Sequence, residues 1–196
     1  MKNSIKILIG LALSVIASQA QALLITPADI DGVACTNTTC WSDVSPTNPD
    51  AADVSDIVGV ADLVSLYKAE VGTPDNPAVV EEGPFASSYD TTFSNAIFDP
   101  ADALISYVAG SDSISCPECF LLVKGAAAHT PIWYIFDIRS WDGLVDIDIT
   151  GFWPDQGAIS HVTIFGKVAD VPEPGMIGLL SIGLLGMFVA RHRMKL

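Results

Sequence analysis

The stretch "LVDIDIT" at residues 144–150 indicates the fold class most directly, because its apolar and polar residues alternate. A β-strand turns successive side chains to opposite faces, so this period of two predicts a strand with one buried and one solvated face. The predicted inner side chains are Val145, Ile147 and Ile149, and the predicted outer ones are Asp146, Asp148 and Thr150.

Other runs before and after this stretch are rich in Val, Ile, Phe, Tyr and Trp and are bounded by Gly, Pro, Asp or Ser. They are "CFLLVKG" (119–125), "PIWYIFDI" (131–138) and "AISHVTIFGKV" (158–168). Several short strands separated by turn residues, with little helix, are typical of a mainly β domain. We therefore expect an antiparallel β-sandwich or a jelly roll.

One short helix is predicted on the N-terminal side of this domain, at residues 51–58. Asp53 or Ser55 can cap it, and Gly59 is a natural stop. The stretch before it, residues 29–49, is rich in Asp, Asn, Thr, Ser and Pro and predicts loops and turns.

The stretch "LVSLYKAEV" (63–71) follows the helix and predicts a strand, with continuation of the helix as the alternative. One side of this strand would carry Leu63, Ser65, Tyr67, Ala69 and Val71, and the other side Lys68 and Glu70.

Residues 1–22 predict a cleaved export signal. Lys2 and Lys6 precede an apolar run at residues 7–17, and Ala20 and Ala22 stand at the spacing of a signal-peptidase site. The run is too short to cross about 30 Å of hydrocarbon as a helix. We expect the mature chain to begin near Leu23, with a β-rich extracellular domain at residues 23–170.

The mature body is strongly acidic. All 23 acidic residues lie between residues 23 and 173, and the four basic residues of that span leave a net charge of −19. Nucleic acid is not an expected partner, because phosphate binding needs clustered Lys and Arg. The charge favours solubility. Attraction of divalent cations in a polysaccharide matrix is the alternative explanation.

Four cysteines, Cys35, Cys40, Cys116 and Cys119, lie in the exported part, where oxidising conditions favour disulfides. Four cysteines allow three pairings, and we expect the local pairs Cys35–Cys40 and Cys116–Cys119. A four-thiolate zinc site and a redox-active pair in "CPEC" are the alternatives. The oxidising compartment disfavours the first, and the second lacks the strand-to-helix context of redox motifs.

The sequence shows no evident catalytic constellation. His129 and His161 stand beside predicted turns or strand ends, and no spacing places a nucleophile and a carboxylate next to either. Asp146 and Asp148 could suggest the paired carboxylates of glycoside hydrolysis, but they alternate along a predicted solvated face. We expect the body not to be an enzyme and to need no cofactor.

The tryptophans raise the question of carbohydrate binding, because exposed aromatic rings can stack on sugar rings. Trp133 and Tyr134 are neighbours on a predicted strand and must face opposite sides. Trp141 and Trp153 lie in turn-like stretches and are the candidates for carbohydrate contact. Packing in the core or in a turn is the alternative, and it is the commoner role of large aromatic residues.

Acidic clusters, Asp29 with Asp31 and Asp50 with Asp53 and Asp56, offer oxygen ligands to cations. Neither cluster belongs to a 12-residue EF-hand loop. We expect weak screening by Ca²⁺ and no dedicated metal site.

The C-terminal region has three parts, a proline motif, an uncharged apolar segment at residues 175–190 and a basic tail. As a helix the apolar segment spans about 24 Å, which is short for a bilayer but still allows insertion with the basic tail in the cytoplasm. The prolines keep the preceding peptide extended, which suits the cleft of a processing enzyme. The motif is Pro172, Glu173 and Pro174, and the bases of the tail are Arg191, Arg193 and Lys195.

This order of motif, apolar transmembrane helix and basic tail resembles the PEP-CTERM sorting signal, which would occupy residues 171–196. His192 and Met194 depart slightly from the usual run of arginines. The resemblance implies that the chain is a substrate of an exosortase, a membrane transpeptidase-like enzyme of Gram-negative bacteria whose presence accompanies exopolysaccharide production. It implies an inner-membrane precursor and a mature form at the cell surface or in the extracellular matrix.

The body is similar to a recurrent group of small PEP-CTERM proteins, in stretches such as "LVSLYKAEVG", "WYIFDI" and "FWPDQGAISHVTIFG" between residues 62 and 166. The likeness brings no established activity. We expect a structural or adhesive role in an exopolysaccharide or biofilm context, with exopolysaccharide as a binding partner. The alternatives are a secreted glycan-active enzyme or carbohydrate-binding module, and a protein that is simply anchored in the membrane by its C-terminus.

Overall fold

Twelve strands and one helix form the part of the chain that the computed structural model describes, which is residues 21–44, 48–95, 99–115, 117–125, 130–153 and 159–167. The helix is α1 (Ala51–Val58). The strands are β1 (Leu23–Ile25), β2 (Asp29–Ile30), β3 (Val33–Ala34), β4 (Cys40–Asp43), β5 (Val64–Glu70), β6 (Val80–Glu82), β7 (Tyr89–Ser94), β8 (Asp102–Tyr107), β9 (Cys119–Gly125), β10 (Trp133–Asp137), β11 (Ile147–Ile149) and β12 (Ile159–Gly166).

The strands form two six-stranded sheets. Sheet A has the order β3-β2-β1-β11-β8-β7, and sheet B has the order β4-β10-β9-β12-β5-β6. All neighbours in sheet B are antiparallel. In sheet A, β1 and β11 are parallel, with Leu23 opposite Ile147. The mainly β class with one short helix is confirmed, whereas the expectation of purely antiparallel sheets is wrong at this pair.

The main core lies between the two sheets, and the predicted alternation of "LVDIDIT" supplies part of it. Ile147 and Ile149 are completely buried, and Asp148 between them is partly exposed. Val145 packs against the same core from its edge. The core is completed by residues of both sheets, among them Ile25, Tyr89 and Ile105 from sheet A and Tyr67, Leu121, Val123, Val162 and Ile164 from sheet B.

A second, smaller core lies on the other face of sheet B, where α1 packs. Val54 of α1 is completely buried there, together with Phe120 and Leu122 of β9 and Ile135 of β10. Strand β9 is therefore buried on both faces. This explains why "CFLLVKG" is a nearly continuous apolar run and does not alternate.

The helix begins at a capping box. The Asp50 carboxylate accepts hydrogen bonds from the backbone N–H groups of Ala52 (2.8 Å) and Asp53 (3.0 Å), and the Asp53 carboxylate accepts one from the Asp50 N–H (3.1 Å). The predicted bounds and the stop at Gly59, with φ at 71°, are confirmed. The predicted cap at Asp53 or Ser55 is wrong, because Asp50 already occupies that position. Asp53 lies at the third helical position, and the Ser55 hydroxyl donates to the Ala51 carbonyl.

The predicted strand at residues 63–71 is confirmed as β5, but its two faces are not continuous. The pairing with β12 shifts register, with Ile164 opposite Tyr67 and Phe165 opposite Ser65. Leu66 is the additional residue at this bulge, and both Leu66 and Tyr67 lie in the main core. Leu63 instead belongs to the second core, so the predicted common face of Leu63 and Tyr67 is wrong.

The stretch 29–49, predicted as loops, contributes the short strands β2, β3 and β4. Polar side chains organise the turns between them, since Thr26 donates to the Asp29 carboxylate (2.8 Å), which also accepts from the Gly32 N–H (3.1 Å). The prediction failed because these strands have two to four residues and too few apolar side chains to show a period.

The two lateral edges of the sandwich are closed in different ways. At the β6–β7 edge the Tyr67 hydroxyl lies 2.7 Å from Glu81 and 2.6 Å from the Thr91 hydroxyl, which links sheet B to sheet A. At the opposite edge the Cys35–Cys40 disulfide joins the end of β3 in sheet A to the start of β4 in sheet B. The disulfide thus links the two sheets at this edge, here called the disulfide edge.

Candidate functional site

The predicted sorting residues lie outside the described residues. They are Pro172, Glu173 and Pro174, the apolar segment 175–190, and Arg191, Arg193 and Lys195. Ala20 of the predicted cleavage site also lies outside, and Ala22 directly precedes β1. Within the described ranges, no helix is both long and apolar enough to cross a membrane.

Trp141 is not a surface residue, which corrects its assignment as a candidate for carbohydrate contact. Only 4 % of it is exposed, it belongs to the main core, and its ring centroid lies 5.7 Å from that of Tyr89. Its indole N–H donates to the Val145 carbonyl at 2.7 Å. The alternative role in core packing is therefore the one that Trp141 has.

Trp153, the other candidate, is partly exposed. Its indole N–H donates to the Pro131 carbonyl (2.9 Å), and its ring centroid lies 5.6 Å from the rings of Tyr134 and Phe152. Trp153 is thus held at the rim of the main core, and its contact with a sugar stays a prediction. Trp133 and Tyr134 face opposite sides of sheet B, as predicted, because they lie in different cores.

The predicted pair Cys35–Cys40 is a disulfide. This bond removes two of the four thiolates that a zinc site would need, so the zinc alternative is wrong. Cys119 is also disulfide-bonded, and Cys116 lies outside the described residues. Among the residues that the structure describes, no group of three metal-binding side chains comes together.

His161 lies in a row of charged residues on sheet B, opposite Glu70 of β5 and Lys124 of β9. His161 is 4 % exposed and Lys124 is 6 % exposed. Burial, assisted by the charge of Lys68, lowers the pKa of His161 to about 4, and burial also lowers the pKa of Lys124. The imidazole is therefore neutral at pH 7.

This row does not form a catalytic triad. The ammonium group of Lys124 donates to the Gly125 carbonyl at 2.7 Å, and Lys68 pairs with Glu70 at 2.8 Å. No serine or cysteine in the described ranges is hydrogen-bonded to His161, as the Ser–His mechanism requires. His129 lies outside the described residues.

Asp148, one of the two aspartates considered for glycoside hydrolysis, lies on a sheet face and is partly exposed. Asp148 lies in the middle of sheet A, between Leu24 and Leu104, and its neighbours along the strand, Ile147 and Ile149, point into the core. Asp148 thus belongs to the outer face, as the alternation predicted.

A cavity of about 540 Å³ lies at the disulfide edge and is here called the inter-sheet cavity. Its apolar wall comes from the first three strands of sheet A and consists of Leu23, Ile30, Val33 and Ala34. Its polar wall consists of Asp31, Thr36 and Thr39, with Asp137, Arg139 and Ser140 from the segment that ends and follows β10. The cavity thus lies where the two sheets separate.

The polar wall is held by two hydrogen-bonded groups. The Arg139 guanidinium binds both carboxylate oxygens of Asp137, with Nε at 2.8 and 2.9 Å, and this partner raises the pKa of Arg139. The Thr36 hydroxyl lies 3.1 Å from the Thr38 hydroxyl and 3.0 Å from the Thr39 hydroxyl. Charge and hydroxyl groups are therefore positioned before any ligand binds.

A second cavity, of about 340 Å³, lies on the other side of the loop at residues 36–39 and is here called the aromatic cavity. Arg139 lines both cavities, and its guanidinium carbon lies 5.9 Å from the centre of the Phe120 ring. Trp41 packs edge-on against Phe120, with 6.1 Å between ring centroids. The other lining residues are Asn37, Thr38, Val58 and Val60.

Together these groups can bind a polar, uncharged molecule with an apolar face. Arg139, Asn37 and the threonines provide hydrogen-bond donors and acceptors, and the partly exposed Trp41 provides aromatic surface. Sequence analysis missed this site, because Arg139 is about a hundred residues from the disulfide loop along the chain. The available signal was the predicted Cys35–Cys40 pair, which closes the polar stretch "TNTT" into a short loop.

Comparison with known proteins gives information on the C-terminal region. No curated protein and no solved structure significantly matches the chain. A family model described as the PEP-CTERM protein-sorting motif matches residues 170–193. This range includes the Pro172–Glu173–Pro174 motif, the apolar segment and the first half of the basic tail, residues 191–193. The motif indicates an exported protein that passes the membrane and is processed by an exosortase. The chain is therefore a protein with a PEP-CTERM sorting signal at residues 170–193.

Proposed function

We propose that the chain is a non-catalytic structural or adhesive protein of the cell surface or extracellular matrix of a Gram-negative bacterium. The sorting signal at residues 170–193 is the observation that carries this proposal. Its exosortase would recognise Pro172, Glu173 and Pro174 and cut the chain there, while the basic tail holds the precursor in the inner membrane.

The body of the protein supports an extracellular role. The Cys35–Cys40 disulfide suits an oxidising compartment. The excess of acidic over basic residues keeps a surface protein soluble. We propose an exopolysaccharide or biofilm matrix as the setting, with exopolysaccharide as the partner.

Cell fractionation and microscopy of a strain that carries a tag inserted at the exposed turn near Asn76 test the localisation. We expect the mature protein in the surface and matrix fractions. A mature protein found only in the cytoplasm would overturn the proposal.

The proposal that the protein is not catalytic has a separate test. The exported protein is incubated with the exopolysaccharide of its own host, and new reducing ends are measured. We expect no release above that of a heat-inactivated sample. Release that is lost in the Asp146→Asn or Asp148→Asn variant would instead establish a glycan-active enzyme.

A further inference from the structure

The inter-sheet cavity and the aromatic cavity form two halves of one surface feature. Arg139 lines both of them, and the loop at residues 36–39 contributes Thr36 and Thr39 to the first and Asn37 and Thr38 to the second. Their volumes, about 540 and 340 Å³, fall within the range of roughly 300–1,000 Å³ that small-molecule sites occupy. A chain molecule can therefore contact both cavities while it passes Arg139.

The hydrogen-bonding groups between the cavities are only partly used. Of the five N–H groups of a guanidinium, Arg139 directs those on Nε and one terminal nitrogen to Asp137, so the remaining ones can donate to a ligand. The Arg139 side chain is 51 % exposed, and Asn37 and Thr38 are exposed on the adjacent loop. Each of these three side chains can contact a ligand without a change in the fold.

The apolar groups lie on the walls of the same feature. The partly exposed Trp41 lines the aromatic cavity, where Phe120 is only 1 % exposed, and Ile30 and Val33 line the inter-sheet cavity. A pyranose ring presents apolar C–H faces and a rim of hydroxyl groups, so it matches a surface that combines aromatic rings with donors and acceptors.

The charges select against acidic ligands. The positive charge of Arg139 is neutralised by the two-point contact with Asp137, and Asp31 adds a carboxylate to the inter-sheet cavity. Residues 23–173 include 23 acidic and four basic residues, and this net negative charge repels a polyanion at long range. A neutral ligand is repelled neither by the Asp31 carboxylate nor by the net negative charge of the body.

We infer that the surface formed by the two cavities across Arg139 binds a neutral oligosaccharide, the chain of which runs past the loop at residues 36–39. This inference rests on the proposed function only in placing the protein at the cell surface or in the extracellular matrix, where it would encounter the saccharide. The hydroxyl groups of the sugar bond to Arg139, Asn37 and Thr38, and a ring face contacts Trp41.

The test uses the protein recovered from the surface of exporting cells, with neutral tetrasaccharides of glucose, galactose and mannose and an acidic tetrasaccharide of galacturonate. Saturation-transfer NMR detects binding, and calorimetry measures Kd. We expect at least one neutral tetrasaccharide to bind and the galacturonate to bind at least tenfold more weakly or not at all.

Variants locate the site. Arg139→Ala and Thr38→Ala should each weaken binding, by about tenfold or more for Arg139, because a hydrogen bond to a charged group contributes about 1.5–3 kcal/mol. Lys68→Ala is the matched control, since it also removes a cation from an ion pair on sheet B but lies three strands away. Near-ultraviolet circular dichroism confirms that each variant keeps its tertiary structure.

Three results would overturn the inference. They are the absence of saturable binding of all neutral tetrasaccharides, unchanged affinity in both Arg139→Ala and Thr38→Ala, or tighter binding of the galacturonate. None of them affects the proposed localisation, which fails only if the mature protein is absent from the cell exterior. The two proposals therefore fail separately.

Discussion

Gly143 lies in the turn after Trp141 with a backbone φ of +77°, a conformation that residues with a Cβ rarely adopt. An added Cβ would lie 2.1 Å from the Ile114 carbonyl oxygen. The same turn accepts a hydrogen bond from the buried Tyr89 hydroxyl at 2.9 Å. Gly143 therefore connects the turn to the main core. Neither its own backbone nor the backbone of Ile114 can move freely to make room for a Cβ.

Replacing this glycine should be far more harmful than replacing a glycine with free space around it. We expect Gly143→Ala to lower the free energy of unfolding by about 3 kcal/mol or more, because strain and a backbone clash add. Gly110→Ala is the control, because Gly110 has a φ of +92° but no atom within 4 Å of the added Cβ, and it should cost about 1–2 kcal/mol. Urea unfolding measures both, and equal losses would contradict the account.

His161 makes stability depend on pH in a defined window. Its pKa is about 4 in the folded protein, against 6.5 when unperturbed, so the unfolded chain binds the proton more tightly. The contribution of neutral His161 to the free energy of unfolding is fully present above pH 6.5. It is lost as the pH decreases towards 4, and titration of His161 causes little further loss below pH 4. A shift of this size corresponds to about 3 kcal/mol.

A His161→Gln variant tests this assignment, because the carboxylates other than Glu70, which interacts with His161, titrate alike in both proteins and cancel in the comparison. The difference in unfolding free energy between wild type and variant should change by about 3 kcal/mol between pH 7 and pH 4, with wild type losing more. A difference that stays constant over this range would show that His161 does not titrate as described.

Helix α1 depends on two carboxylates in its first turn. Asp50 accepts two backbone hydrogen bonds and Asp53 returns one. We expect Asp50→Ala to cost about 1 kcal/mol and to loosen the second core, since Val54 anchors the helix there. Asp56→Ala, an exposed change in the same helix outside the cap, should cost less than about 0.5 kcal/mol. Equal effects in thermal unfolding would argue against the capping box.

The sequence predicted the elements whose pattern is local. The alternation around Ile147 and Ile149, the opposite faces of Trp133 and Tyr134, and the stop at Gly59 all depend on residues close in the chain, and all are confirmed.

Features that depend on distant partners were not predictable in the same way. The parallel pairing of β1 with β11, the bulge at Leu66 and the burial of Trp141 each result from contact with another part of the fold. The candidate site belongs to this group, because Arg139 is brought next to Asn37 and Thr38 by the pairing of β10 with β4, which are far apart in the chain. The sequence could indicate the loop between the paired cysteines but not the wall opposite it.

At the scale of the whole molecule, the body and the sorting signal are separate segments of the chain. The last described strand, β12, ends at Gly166, and the sorting motif matches residues 170–193. A change within the motif should therefore leave the sandwich folded and alter only processing. We propose that the recognised peptide is Pro172, Glu173 and Pro174, because proline disfavours helix and a processing enzyme needs an extended peptide.

Replacement of these three residues by alanine should produce a precursor that stays in the membrane. Alanine favours helix, so the apolar helix can grow into the linker and remove the extended peptide from the enzyme. The circular dichroism spectrum of the body should not change. Normal release of the triple variant would mean that the proline motif is not what the enzyme recognises.

Mass spectrometry of the C-terminal peptide of wild-type protein collected from the cell exterior tests the central claim most directly. We predict a new C-terminus close to Pro172–Glu173–Pro174, with no peptide from the apolar segment or the basic tail. An exterior protein whose chain still ends in Leu196 would contradict this, and would mean that the C-terminal segment is a membrane anchor and not a sorting signal that is cut.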